Sequence, residues 1–341
     1  MPWAELYEHE ELVERFRMAA RMRRLASTFL FVGPPGVGKR KFAMTLAQAL
    51  LCEQNAEDCL DACGNCPSCV QAAAGTHPDL ETISRPPDKA SIPLELLIGD
   101  LEHRNREGLC HRIALKPMRG RRKVAIIDDA DYLNAAGANC LLKTLEEPPP
   151  KSVIILISTG LQRQLPTIRS RSQIVRFRPL SAETVAALLL QHGLVEDAGE
   201  AQLLAEVSGG SLETAAAMRD PELRQFRRHL TQTLAGGDFD GAQLAGELTQ
   251  FVDAAGKEAP ARRARLQQAA GWAAEFYREA MATAVGAAGL TPGTATPLGP
   301  DAALAGLDRS LDAMHQVEAN ANQSSLIEAW IDDLVQAAQI A

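Results

Sequence analysis

Residues 29–44 read F-L-F-V-G-P-P-G-V-G-K-R-K-F-A-M. The apolar run Phe29 to Val32 gives way to a turn with glycines at 33, 36 and 38, and the segment after it carries apolar residues at helical spacing. Strand, glycine-rich turn and helix in this order aim backbone N–H groups and the positive end of a helix at a phosphate chain, and Lys39 is long enough to reach the outer phosphates. Gly33, Pro34, Pro35, Gly36, Val37, Gly38 and Lys39 are therefore the nucleotide-binding candidates. The pattern asks next for Ser or Thr, whose hydroxyl holds Mg²⁺, but position 40 is arginine.

The flanking sequence continues an α/β alternation. Helices are expected over 10–24, 39–52, 92–109 and 134–145, the last stopped by Pro148, Pro149 and Pro150. Strands are expected at 29–32, 80–84, 123–127, 153–157 and 174–177. The strand K-V-A-I-I ends in D-D-A-D, as a buried parallel strand does when its tip faces a nucleotide. Asp128 would then lie beside Mg²⁺. Asp129 stands where a phosphate-loop ATPase has a water-polarising glutamate, and it is one methylene shorter. Ser158 and Thr159, after the next strand, are placed to sense a γ-phosphate. Arg169 and Arg171 flank a serine in a short turn before the final strand.

Five of the seven cysteines fall within residues 52–69. Cys63, Cys66 and Cys69 have C-x-x-C-x-x-C spacing, and a fourth thiolate from Cys52 or Cys59 completes a tetrahedral structural Zn²⁺ site. Iron–sulfur ligation is the weaker metal alternative. His77 reads as a structural or capping residue. No apolar run reaches the length of a membrane span, and the charged N-terminus is unlike a signal peptide, so a cytoplasmic protein with no membrane partner is expected, in which disulfides are disfavoured. With 35 basic against 43 acidic residues the formal charge is −8, which argues against a wholly phosphate-binding surface. Two local basic clusters stand out, Arg15, Arg17, Arg21, Arg23 and Arg24, and Arg119, Arg121, Arg122 and Lys123. Each reads as a solvated helix face or charged loop.

After Pro179 the pattern is helical. Short helices are expected over 182–192, 201–207 and 211–218. Longer amphipathic ones follow, with stripes Leu223, Phe226, Leu230, Leu234; Leu244, Leu248, Phe251; Leu304, Leu307, Leu311, Met314; and Ile327, Trp330, Ile331, Leu334. A flexible loop is expected over 289–300. Stripes of this kind pack within the chain or against neighbouring subunits.

The glycine loop, the cysteine insertion, D-D-A-D, L-L-K-T-L-E-E-P-P and S-R-S together resemble the clamp-loader branch of the AAA+ ATPases. The resemblance spans residues 29–218 and, more loosely, 319–330. It implies an α/β P-loop (AAA+) domain with a parallel sheet over 1–178, carrying a zinc-binding insertion at 52–75. A small helical lid domain over 179–220 and an all-α C-terminal oligomerisation (collar) domain over 221–341 would follow. It also implies a hetero-oligomeric ring with gamma/tau and delta subunits of the bacterial DNA polymerase III holoenzyme, acting through the complex on a sliding clamp and primer-template DNA. The zinc ligands it implies are Cys63, Cys66 and Cys69, with Cys52 preferred over Cys59.

The family's S-R-C motif maps onto Ser170, Arg171 and Ser172, which implies that Arg171 acts as an arginine finger in the neighbouring subunit's ATP site, with Arg169 assisting. Three departures from the family's motors weaken hydrolysis: Arg40, Asp129, and Glu213, which stands in G-S-L-E-T-A where motors place a nucleotide-sensing arginine. An Arg40 guanidinium paired with Asp128 would take the metal's place, leaving ATP and Mg²⁺ binding open. A rigid, non-hydrolysing ring member is the expectation. The alternative is an active gamma/tau-type ATPase using Lys39, Asp128 and Asp129 in cis.

Overall fold

The run before the glycine loop forms β1 (Thr28–Val32), the fourth strand of a five-stranded parallel sheet of order β2-β3-β4-β1-β5. These features come from a computed structural model that describes residues 2–86, 89, 91–119, 121–285 and 298–340. The chain divides into two compact units, Met1–Met218 and Arg219–Ala341.

In the first unit the elements run α1 (Glu10–Arg21), β1, α2 (Lys39–Leu51), α3 (Pro67–Ala73), β2 (Leu80–Ile83), α4 (Leu94–Ile98), α5 (Gly108–Ala114) and β3 (Lys123–Ile127). Then come α6 (Ala135–Glu146), β4 (Ser152–Ser158), α7 (Pro166–Arg171), β5 (Gln173–Arg176), α8 (Ala182–Gln191), α9 (Ala198–Glu206) and α10 (Leu212–Ala217). β3 and β4 are buried at every residue, which explains their unbroken apolar runs. Alternation along β1 sorts the core. Phe29 and Phe31 face Phe16, Phe42 and Phe177, with ring centroids 5.0–6.2 Å apart. Leu30, pointing the other way, joins an aliphatic cluster with Ile83, Leu97, Leu109, Leu141 and Leu156. Six of the fifteen aromatic residues, Trp3, Phe16, Phe29, Phe31, Phe42 and Phe177, gather behind the glycine loop.

Two expectations differ. The helix expected over 92–109 is broken into α4 and α5, because Gly99 and Gly108 take positive φ (83° and 81°). A Cβ on Gly108 would lie 2.5 Å from the Gly99 nitrogen, so the close approach requires glycine and the periodic residue Leu101 is left 88% exposed. Arg169 and Arg171 sit in the last turn of α7 rather than in a turn without regular structure.

The second unit is helical throughout its described residues: α11 (Pro221–Gly236), α12 (Gly241–Asp253), α13 (Ala259–Ala284), α14 (Pro300–Glu318) and α15 (Gln323–Ala338). The loop expected over 289–300 lies outside the described residues up to 297. Three of the four leucine-rich stripes are largely buried, but that of α14 is inverted. Ala302, Ala303, Gly306, Ser310 and Ala313 are buried, while Leu304 and Leu311 are 49% and 41% exposed. The reason is close packing of α14 on the alanine-rich α13: the ring of Tyr277, itself fully buried, occupies the space above Gly306. A Cβ there would lie 2.4 Å from the ring.

Helix propensity alone makes Gly306→Ala stabilising by about 1 kcal/mol, whereas overpacking a buried ring costs about 1–3 kcal/mol. Gly306→Ala should therefore lower the urea midpoint, whereas Gly271→Ala on α13, where an added methyl meets nothing within 4 Å, should raise it. Equal or opposite shifts would show that the Tyr277 ring is free to move.

Candidate phosphate loop, cysteine centre and strand-entry arginine

Parallel pairing brings the C-terminal tips of β1, β3 and β4 to one edge, with Val32 level with Ser158 and Ile127 level with Leu156. The glycine loop, Asp128 and Thr159 meet there. Gly36 and Gly38 take φ of 67° and 95°, which favours glycine, and Gly38 caps α2. Lys39 is buried at the start of α2, and its Nζ donates to the carbonyls of Gly33 (2.6 Å) and Pro34 (2.5 Å). Burial holds its ammonium below the ordinary lysine value, against the pull of Asp131, Asp128 and Glu213. The Arg40 guanidinium lies 2.7 Å from Asp128 Oδ2. This donor set does not fit a divalent cation well, since the expected hydroxyl is absent and a guanidinium already sits against the carboxylate.

The neighbouring acids are occupied differently from one another. Asp129 takes a left-handed backbone (φ 54°), and burial together with Asp128 pushes its carboxyl up from the usual range, opposed by Arg85. Asp131 accepts from Ser158 Oγ, from Thr159 N (2.8 Å) and Oγ1 (2.7 Å), and from Gln164 Nε2 (3.2 Å). The Thr159 hydroxyl is thus committed to a carboxylate. Asp131 was not singled out from sequence; its position three residues after Asp128, across a 3-10 turn, is the signal that could have found it.

α10 closes over the loop. The Leu212 N–H donates to Gly36 O at 3.3 Å, and a Cβ on Gly36 would lie 2.4 Å from the Glu213 nitrogen. The N-terminal segment, also silent in the sequence pattern, ties three regions together. Trp3 Nε1 donates to Leu60 O (2.8 Å), His9 Nε2 to Val37 O (2.7 Å) and Tyr7 to Gln191 (2.8 Å). Glu8 accepts from Ser181 and Thr184 at the start of α8. Leu6, His9, Val37, Leu180, Leu188 and Leu212 line a small cleft beside the glycine loop.

In the insertion, the sulfurs of Cys52, Cys63, Cys66 and Cys69 lie within 4.8 Å of one another, and those of Cys63 and Cys69 are 3.8 Å apart. Four thiolates around a metal with bonds of about 2.3 Å are separated by about 3.8 Å, so the residues fit a closed tetrahedral centre. Cys59 is exposed and outside the group. Burial opposes ionisation of Cys52, but N–H groups of Asn55, Cys63 and Gln54 outweigh it and bring that thiol down to about 6. Burial and the neighbouring sulfurs push Cys69 up. His77 is not part of the group. Its Nδ1 accepts from Asp79 N and its Nε2 meets Ser68 Oγ, each at 3.0 Å, and burial keeps its pKa low, as suits a neutral structural imidazole. The second basic cluster is tied down here: Arg119 to Glu53 (2.7 Å), Arg121 to Asn55 O (2.6 Å) and Arg122 to Glu57 (2.7 Å).

Arg171 lies at the opposite edge of the sheet, where α7 enters the edge strand β5. It is half-buried, donating to Thr167 O (3.0 Å) and lying 2.5 Å from Glu146 Oε1. Arg169 makes no side-chain hydrogen bond or ion pair among the described residues. Gln173 is level with Phe29, so four residues, or ~13 Å of strand, separate this edge from the glycine loop.

The profile of the family described as DNA polymerase III, delta subunit matches residues 8–181, just over half of the chain. The DNA polymerase III subunit delta' of Pseudomonas aeruginosa is 36% identical over 210 residues, 61% of this chain and 60% of that protein. The Bacillus subtilis delta' subunit is 31% identical over 227 residues, 66% and 64% of the two chains. A Mycobacterium tuberculosis gamma/tau subunit is 33% identical over 240 residues, 69% of this chain and 39% of that one. The chain spans about three fifths of the length of the delta' relatives it matches. It belongs to the DNA polymerase III, delta subunit family.

Proposed function

We propose that this chain is a delta'-type clamp-loader subunit of the DNA polymerase III holoenzyme that does not hydrolyse ATP and instead serves ATP turnover in a neighbouring subunit. The Arg40–Asp128 pair carries this reading. A hydrolysing loop holds a dication against its phosphates. Here a monocation is bonded to the metal's carboxylate, Thr159 is engaged by Asp131, and Glu213 brings negative charge to the loop, which reverses the electrostatic stabilisation that phosphoryl transfer depends on.

The position of Arg171 at the strand-entry edge, remote from its own glycine loop, supports a role as a finger acting in trans. Released from Glu146, its guanidinium would stabilise charge on the γ-phosphate of ATP held by a gamma/tau-type subunit, an effect worth about 10³–10⁵ in rate in GTPases. The Glu146 pair is part-exposed on both sides, so releasing it costs only ~0–1 kcal/mol. Arg169 would assist. In this reading residues 179–220 form the lid and 221–341 the collar through which the subunit joins a hetero-oligomeric ring with gamma/tau and delta subunits. Through that ring it would act on the sliding clamp and primer-template DNA. The four cysteines would hold Zn²⁺ as a structural crosslink of the insertion. The preserved glycines and Lys39 favour a second reading, an active gamma/tau-type ATPase.

The isolated chain should show no ATP turnover above background. Added to gamma/tau and delta subunits, it should support ring ATPase, and Arg171→Ala should reduce that activity by ~10³-fold, within the range for trans fingers. Turnover by the isolated chain that Lys39→Ala abolishes would establish the second reading. Elemental analysis of reduced protein should find one zinc per chain, lost in Cys52→Ser and retained in Cys59→Ser; iron with visible absorbance would replace zinc by a cluster.

A further inference from the structure

The insertion that carries the four cysteines is fastened to the sheet by a closed ring of hydrogen bonds. His77, just before β2, is buried, and its Nδ1 accepts from the Asp79 N–H. In the neutral imidazole the proton is therefore on Nε2, which donates to Ser68 Oγ (3.0 Å). The Ser68 hydroxyl in turn donates to Glu53 Oε1 (2.6 Å), which also accepts from the Arg119 guanidinium (2.7 Å). The ring closes through the backbone, where the Asp79 carboxylate accepts from the N–H groups of Met118 (2.8 Å) and Arg119 (3.0 Å). The direction of each side-chain bond follows from the first.

Two members of the ring adjoin sulfur ligands in the chain. Glu53 follows Cys52, and its N–H, with that of Cys69, is bonded to the Cys66 sulfur. Ser68 precedes Cys69 and is wholly buried. Fixing Glu53 and Ser68 therefore fixes both ends of the segment on which the four cysteines lie. At the other side of the ring, Asp79 and Arg119 belong to the entries of β2 and β3, since Asp79 O accepts from Val124 N (2.9 Å) at the start of β3. Ser68, His77 and Asp79 are each at most 3% exposed, and polar groups this deep are costly unless their bonds are made. Attachment alone needs only apolar contact. A directed polar chain that ends beside two thiolates has the form of the outer support that orients metal ligands.

We infer that Glu53, Ser68, His77, Asp79 and Arg119 are positioning residues of the cysteine centre, and that they couple retention of its divalent cation to the entry of β3. This rests on the reading of the four cysteines as a metal centre and extends it to residues outside the ligand set. The coupling is reciprocal. Whatever factor the ring contributes to metal affinity, the bound metal returns to the ring, and so to the Met118 and Arg119 amides that the ring holds.

The test uses the reduced full chain, with zinc affinity measured by competition against a chromophoric chelator. Ser68→Ala leaves the His77 Nε2–H without its acceptor and should weaken zinc binding about tenfold, the low end for outer partners of metal ligands. Arg119→Ala keeps the backbone bonds to Asp79 and should weaken it less, and Arg119→Lys should restore most of that loss. Arg176→Ala, exposed on β5 at the other edge of the sheet, should leave affinity unchanged. In the unsubstituted chain, stripping the zinc should speed hydrogen exchange at the Met118 and Arg119 amides about tenfold, the reciprocal of the affinity loss. If Ser68→Ala fails to fold, the two Arg119 variants and the exchange measurement decide. Undiminished affinity in the folded variants, or unchanged exchange on zinc removal, would overturn the coupling and leave the metal centre standing. An unsubstituted chain that binds no zinc would overturn both.

Discussion

Parallel pairing is the constraint from which the rest of the first unit follows. In a parallel sheet every strand starts at one edge and ends at the other, so residues that follow strands and residues that precede them are sorted to opposite sides of the molecule. The glycine loop, Asp128 and Thr159 all follow strands. Arg171 and the arginines of α1 all precede them. The first unit therefore carries the glycine loop on one side and Arg171, with the arginines of α1, on the other.

At the cradle, charges that would otherwise await a ligand are satisfied internally. Lys39 is held by two carbonyls, Arg40 by Asp128, and Asp131 by Ser158, Thr159 and Gln164. Lys39 is buried, so its bonds to two carbonyls stabilise the loop in the form it already has, whereas the Arg40 side chain is 64% exposed and its pair with Asp128 contributes less. A loop of this kind retains its architecture because Phe31, Phe42 and Phe177 pack behind it.

The parts legible in the sequence were those governed by local rules. The β1–loop–α2 unit, the buried strands ending in acids and the cysteine spacing are each specified by a few adjacent residues. The parts that were not legible depend on partners far along the chain. Leu101 has helical spacing with Leu97 and Leu94, yet Gly99 and Gly108 approach so closely that no helix passes between them. The leucines of α14 form the more hydrophobic stripe, but small residues won the buried face because they allow the ring of Tyr277 to come near the backbone. α13 itself, rich in alanine and without a strong stripe, gave little periodic signal. Cys52 and Cys59 were both available to a tetrahedral site, and only the path of the chain after α2 brings one of them to the other three sulfurs. Asp131 and residues 3–9 act through hydrogen bonds to distant segments, which no periodicity records.

The N-terminal segment has a consequence for how the molecule is made. Residues 3–9 are synthesised before the partners they bond at Val37, Leu60, Ser181, Thr184 and Gln191. β1 likewise waits for β4 and β5, which emerge more than a hundred residues later. The growing chain must therefore hold residues 3–9 unsettled until Gln191 has been added, and Phe29–Val32 remains without its final strand neighbours for most of that time. Long-range closure of this kind slows folding and leaves the apolar run of β1 exposed until its neighbouring strands have been made.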